Sequence, residues 1–157
     1  MILIADSGST KCDWLLLDGD HVAMECNTMG FNPYFHDAAL IEREVRARPE
    51  LLECASLVER IFFYGAGASS ADLKEIVRSG LQAVFSRAEI HVGHDLDAAA
   101  VASYNGVPHI ACILGTGSNS CFFDGKEIYE EVPALAYILG DEGGGSYYGK
   151  RLLADFF

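Results

Sequence analysis

The sequence is poor in basic residues and contains no basic run. Eleven lysines and arginines stand against 23 aspartates and glutamates, which leaves a formal net charge of −12 and a pI near 4.6. Nucleic acids and anionic membrane surfaces both require a basic protein face. We therefore expect neither as a partner, and any bound nucleotide must have its phosphates held mainly by backbone amides and a metal ion.

Long hydrophobic runs and paired cysteine motifs are also missing. No apolar stretch reaches the roughly 18 residues of a membrane-spanning helix, and the first residues lack the basic segment of a signal peptide. The cysteines are odd in number and none shows Cys-x-x-Cys spacing; they are Cys12, Cys26, Cys54, Cys112 and Cys121. Most lie in apolar runs, where a reduced thiol acts as a small hydrophobic group. These features predict a soluble, cytoplasmic protein.

The order of predicted elements indicates an α/β fold. A strand at 2–5 is followed by strands at 12–17 and 21–26, joined by the tight turn Asp18-Gly19. A helical region at 37–59 is interrupted by Pro49. Next come a strand at 60–64, an amphipathic helix that begins with a capping box at Ser69 and Asp72, a strand at 89–92 and a helix at 96–104.

The loop after the first strand is the first candidate site. The apolar run Ile2–Ala5 predicts a buried strand that ends at Asp6, and the small residues Ser7–Ser9 allow backbone N–H groups to approach an anion. A carboxylate beside exposed amides suits a magnesium-bound phosphate, with Asp6 holding the metal through water. An ordinary serine- and glycine-rich hairpin remains the alternative.

The same pattern begins again at Ile110. At a constant offset of 106 positions, Thr10 matches Thr116 and Gly19 matches Gly125. We interpret this as an internal duplication, with a first domain at 1–106 and the start of a second at 107–157. A complete second unit would need about as many residues again, so we expect a truncated chain. We expect the two small-residue loops to face one another across a cleft and to bind opposite sides of a polyphosphate.

Three motifs together resemble the acetate and sugar kinase, Hsp70 and actin superfamily. Asp6–Lys11 resembles its first phosphate motif and Leu114–Asn119 its second, while Gly140–Gly144 resembles a motif of the N-acetylglucosamine kinase and BadF/BadG/BcrA/BcrD-type ATPase family. The resemblance implies a ribonuclease H-like (actin-like ATPase) fold with a mixed sheet. It also implies ATP and Mg as cofactors and a small sugar as substrate. Whether the protein forms a homodimer is left open.

The resemblance assigns roles to individual residues. Asp6 would organise magnesium and Asp95 would be the catalytic base, although Asp is also a preferred helix N-cap residue. The terminal phosphates would contact Gly8, Ser9 and Thr10, and the transferring phosphoryl group would be approached by Thr116 and Gly117. Lys11 could bind phosphate or point to solvent. The sugar would contact Asn32, Asn119 and Asp141. On composition alone, the favoured interpretation is that the loop containing Asn32 covers a sheet edge rather than lines a ligand site.

The expected activity is ATP-dependent phosphorylation of an amino sugar. Leu135 stands where vertebrate-type N-acetylglucosamine kinases carry a tryptophan, which leaves the identity of the sugar open. One alternative is an activator ATPase that couples ATP hydrolysis to a partner reductase or dehydratase; in such relatives, interface cysteines bind an iron–sulfur cluster. Another is a catalytically incomplete fragment that binds sugar or phosphate.

Overall fold

The computed structural model describes residues 1–130 and 135–157, which form two compact units, Met1–Asp95 and Leu96–Phe157. Leu135 lies among the described residues, whereas the four positions before it do not. Within the described part of the chain, no helix is long and apolar enough to cross a membrane.

The first unit is built on a five-stranded mixed sheet. Its strands, in chain order, are β1 (Ile2–Ser7), β2 (Lys11–Asp18), β3 (His21–Met29), β4 (Arg60–Gly65) and β5 (Glu89–His94). The spatial order is β3-β2-β1-β4-β5, with antiparallel pairs among the first three and parallel pairs from β1 to β4 and from β4 to β5. The predicted antiparallel meander is confirmed, and the Asp18-Gly19 turn places Gly19 at a positive φ of 59°.

One face of this sheet carries the hydrophobic core. Successive strand residues point to opposite faces, and the buried set alternates accordingly, with Leu3 and Ala5 on β1, Ile61 and Phe63 on β4, and Trp14 on β2. These side chains form one cluster with helix residues, among them Ile41, Leu51, Val77 and Leu81. The sequence prediction that Trp14 belongs to the core is confirmed.

The helices of the first unit lie within the predicted helical regions, but the region predicted to reach residue 59 ends at Cys54. They are α1 (Ala38–Arg46), α2 (Pro49–Cys54) and α3 (Ala71–Gln82), and Pro49 begins α2 because its missing N–H costs nothing at a helix start. The predicted cap of α3 at Ser69 is wrong by one residue. Ser70 is the N-cap, and its side chain accepts a hydrogen bond from the backbone N–H of Leu73 at 3.3 Å.

The second unit repeats the strand-loop-strand-turn pattern on a smaller scale. It contains most of α4 (Asp95–Ala102), followed by β6 (His109–Leu114), β7 (Ser118–Phe123), β8 (Ile128–Tyr129), α5 (Ala136–Leu139) and α6 (Gly145–Phe156). The three strands form an antiparallel sheet in the order β6-β7-β8. Leu96 and Ala100 of α4 pack on Ala111, Cys121 and Phe123 of this sheet.

The predicted fold class is confirmed. Three antiparallel strands followed by two parallel ones, with the parallel strands connected through helices, is the arrangement expected of a ribonuclease H-like, actin-like ATPase fold. The domain boundary between residues 106 and 107 stays a prediction.

Candidate functional site

The carboxyl ends of the three parallel strands bring two predicted site residues to the same sheet edge. Ser7 of β1 lies beside Gly65 of β4, and Gly65 lies beside His94 of β5. Asp6 immediately precedes this row and Asp95 immediately follows it. In open α/β sheets, ligands bind beyond the carboxyl ends of the strands. The fold therefore places the predicted metal residue and the predicted base of the first unit in the region where a ligand is expected.

Asp6 lies in a field of negative charge. The residue is exposed overall, yet partial burial of its carboxyl raises its pKa above the ordinary value, and the nearby charges of Asp95 and Asp13 raise the pKa further. Asp13 is the antiparallel β2 partner of Asp6. The ionised form of Asp6 is thus disfavoured in the bare protein, and a cation placed among these carboxylates would relieve the repulsion.

Asp95 is the first residue of α4 and directly follows β5. Its Oδ1 lies 3.2 Å from Nδ1 of His94, and about a quarter of the Asp95 side chain is exposed. A strand end that opens into a helix is a rigid mounting for a carboxylate. Asp95 is therefore positioned by backbone structure on both sides and remains accessible to a ligand.

The first predicted phosphate loop connects β1 to β2. Its residues Gly8, Ser9 and Thr10 are exposed, and the N–H of Gly8 donates to the carbonyl of Lys11 at 2.9 Å. The Nζ of Lys11 is ion-paired with Oδ1 of Asp13 at 2.7 Å. Exposed pairs of this kind contribute less than about 1 kcal/mol, so a polyphosphate could replace Asp13 as the partner of Lys11.

Two contacts that the sequence analysis did not predict support this loop. The Ser7 hydroxyl is fully buried and accepts a hydrogen bond from the backbone N–H of Phe31 at 2.8 Å. Gly30 packs against the loop so closely that a Cβ there would overlap the carbonyl oxygen of Gly8 and lie 2.7 Å from the backbone nitrogen of Thr10. Both contacts join positions distant in sequence, so no local motif could have revealed them.

Asn32 is held in a turn directly after these contacts. Its Oδ1 accepts from the backbone N–H of Tyr34 at 3.0 Å, and its own N–H donates to Nδ1 of His36 at 3.2 Å. The Asn32 amide also lies against Gly67, where a Cβ would be 2.5 Å from Oδ1. These contacts orient the Asn32 side chain and leave its Nδ2 amide as the group suited to donate to a ligand oxygen.

The second predicted phosphate loop, in the second unit, connects β6 to β7 and packs on the start of α6. The N–H of Gly145 donates to the carbonyl of Gly115, and the N–H of Ser146 to that of Thr116, both at 2.9 Å. Gly144 lies so near Gly117 that a Cβ on Gly144 would be 2.7 Å from the carbonyl carbon of Gly117. The loop that carries Thr116 and Gly117 is therefore fixed by the glycine-rich segment that follows α5.

Asp141 and Asn119 line a cavity of about 510 Å³ in the second unit. Asp141 adopts a left-handed backbone with φ of 64°, and its Oδ1 accepts from the N–H of Ser118 at 3.1 Å. The Oδ1 of Asn119 accepts from the N–H of Ser120 at 2.8 Å. Leu135 also lines this cavity, whose volume is in the range of small-molecule sites. The structure thus brings two of the three predicted sugar residues together.

The described residues contain no group of three or more His, Cys, Asp or Glu side chains that could hold a metal ion. Magnesium bound with phosphates needs only one or two carboxylates, because water and phosphate oxygens complete its coordination. Asp6 fits that requirement. Of the cysteines, Cys12, Cys54 and Cys121 are buried, Cys26 is partly buried and Cys112 is exposed, and burial raises the pKa of Cys12 to about 12.

A solved structure matches nearly the whole chain. A protein from Porphyromonas gingivalis, provisionally assigned as an N-acetylglucosamine kinase, shares 39% identity with a TM-score of 0.91 over 98% of this chain and 55% of that chain. The present chain therefore spans little more than half the length of that protein. Neither a protein-family model nor a curated protein matches the chain.

More distant matches come from Aquifex aeolicus. A Ppx/GppA phosphatase shares 15% identity with a TM-score of 0.45 over 82% of this chain and 50% of that chain. A PPX-GPPA enzyme shares 13% identity with a TM-score of 0.43 over 81% and 49%. These similarities are too low to bear on function.

Proposed function

We propose that the protein transfers the γ-phosphoryl group of ATP to a hydroxyl of an amino sugar. The carrying observation is the 39% identity to a protein that bears this provisional assignment. The position of Asp6 and Asp95 at one sheet edge supports the proposal, because phosphoryl transfer requires both a metal-organising carboxylate and a base.

In the proposed reaction, Asp95 takes the proton of the acceptor hydroxyl. The acceptor oxygen then bonds to the γ-phosphorus as the bond to the leaving oxygen of ADP breaks. Gly8, Ser9 and Thr10 would hold terminal phosphate oxygens through backbone and hydroxyl groups, with Lys11 as a nearby positive charge. Magnesium held by Asp6 would neutralise phosphate charge as the transfer proceeds.

Thr116 and Gly117 are proposed to contact the transferring phosphoryl group, since the hydrogen bonds from the start of α6 fix their loop. Asn119 and Asp141 are proposed to bind the sugar in the cavity that they line, where Leu135 offers an apolar contact in place of an aromatic stacking surface. Asn32 is proposed as a further sugar contact through its Nδ2 amide.

The test is an amino-sugar panel with Mg·ATP, in which ADP release and sugar phosphate are both measured. A kinase releases ADP only when a sugar is added and forms one sugar phosphate for each ADP. ADP release that is independent of sugar would replace the proposal with the activator ATPase alternative. Sugar binding without any ADP release would favour the incomplete binding fragment instead.

A further inference from the structure

The segment Gly30–Asn32 touches the first phosphate loop on one side and carries a proposed sugar ligand on the other. The backbone of Gly30 lies against Gly8, Ser9 and Thr10 with no room for a side chain. One residue further, the N–H of Phe31 donates to the buried hydroxyl of Ser7, the residue that precedes the loop. The loop is thus contacted both along its length and at its base.

The Phe31 side chain anchors the same segment to the core. Its ring is fully buried and lies 6.4 Å from the ring of Trp14 and 6.5 Å from the ring of Phe63, measured between centroids. Close-packed interiors transmit displacement rather than absorb it. The aromatic cluster that holds Phe31 therefore resists a shift of the segment at Gly30.

The turn at Asn32 continues this rigid connection. The backbone carbonyl of Asn32 accepts hydrogen bonds from the N–H groups of Phe35 and His36 at 2.9 and 3.0 Å. The side-chain Oδ1 of Asn32 accepts a third hydrogen bond, from the backbone N–H of Tyr34. Asn32 is consequently separated from the phosphate loop by only two residues, both of which have fixed backbones.

We propose that Gly30 is a positioning residue that couples sugar binding at Asn32 to phosphate binding at Gly8–Thr10. This inference rests on the proposed function. Because the segment from Gly30 to Asn32 is rigidly connected, a sugar that holds Asn32 in one position also holds the phosphate loop in one position through the Gly30 contact, so each ligand raises the affinity for the other. Thermodynamic linkage requires the two effects to be equal.

Isothermal titration calorimetry of the full chain tests the coupling. The affinity for the magnesium complex of AMP-PNP, an ATP analogue that cannot transfer its γ-phosphoryl group, is measured with and without saturating N-acetylglucosamine. The affinity for the sugar is measured with and without the same nucleotide complex. In the parent protein we expect both ratios to be equal and at least about fivefold, the lower end of usual coupling energies. In Gly30→Ala we expect the ratio to fall to about one, since the added Cβ displaces the phosphate loop.

Gly149→Ala is the matched control, because a Cβ at Gly149 meets nothing within 4 Å; this variant should keep the parent ratio. Ser7→Ala is a second variant that keeps the test possible if Gly30→Ala does not fold. It keeps Gly30, removes the hydroxyl that is hydrogen-bonded to Phe31, and should lower the affinity ratio. A parent that binds both ligands with a ratio of one, or a Ser7→Ala variant with the parent ratio, would overturn the coupling alone. A parent that binds neither ligand would overturn the proposed function and this inference together.

Discussion

The variant Asp95→Asn tests whether the carboxylate of Asp95 has a catalytic role or only a structural one. Asn and Asp are about equally good at helix N-termini, so the change should alter stability by less than about 0.5 kcal/mol. Asn cannot accept the proton of an acceptor hydroxyl. General-base catalysis contributes about 10²- to 10⁴-fold, which corresponds to about 2.7–5.4 kcal/mol of activation free energy. We therefore expect sugar-dependent turnover to fall by that factor while the melting temperature stays close to that of the parent.

The same variant makes a second, independent prediction. The charge of Asp95 is one of the causes of the raised pKa of Asp6, so removing it should lower the pKa of Asp6, measured by NMR titration of the carboxyl carbon. Asp97→Asn removes an equal charge two residues further along α4 and serves as the control, with turnover near that of the parent. Full turnover in Asp95→Asn, together with an unchanged pKa of Asp6, would refute the placement of Asp95 beside the reacting groups.

Three further predictions follow from local geometry. Because burial and like charges raise the pKa of Asp6, the folded state loses stability as the pH rises from the ordinary carboxyl range through the raised pKa. Asp6→Asn should abolish that loss and raise the melting temperature at pH 7 in metal-free buffer. If the pH dependence of the melting temperature were unchanged in Asp6→Asn, the loss would not come from Asp6. Gly117→Ala should weaken amino-sugar binding roughly tenfold in calorimetry, because the added Cβ would lie 2.5 Å from Oδ1 of Asp141 and displace that carboxylate. If the variant bound the sugar as tightly as the parent protein, the position of the Asp141 carboxylate would not matter for sugar binding. In the native protein at pH 8, Cys112 should react with a thiol reagent before Cys12, which is buried and has a pKa of about 12; equal rates by peptide mass mapping would argue against the burial of Cys12.

The order of elements along the chain, the antiparallel meander of the first three strands and the position of their turn could be predicted from local pattern. The apolar run at Ile2–Ala5, the Asp18-Gly19 turn and the helix-initiating Pro49 each act through backbone preferences of a few adjacent residues. The cap of α3 was misplaced because Ser69 and Ser70 are chemically equivalent, and only backbone geometry selects Ser70.

The motifs of the candidate site could be predicted from the sequence, but the contacts that hold and tune its residues could not. Asp6 and the Gly8–Thr10 loop are contiguous, so their chemistry is readable from sequence. Asp13 is nearby in sequence, yet its effect on Asp6 depends on the β1–β2 register. The positive φ of Asp141 and the contact of its carboxylate with Ser118 have no local signature, because a left-handed aspartate is stabilised by its surroundings.

The amino-acid sequence by itself determined the order of elements, the acidic charge and the small residues at both loops, since these depend on composition and short-range periodicity. Tertiary structure alone decided that Gly30 must lack a side chain, that Ser7 is buried against Phe31 and that Asp95 lies near Asp6. The physical reason is that each of these contacts joins residues twenty or more positions apart. Strand pairing and close packing, rather than local preference, bring such residues together.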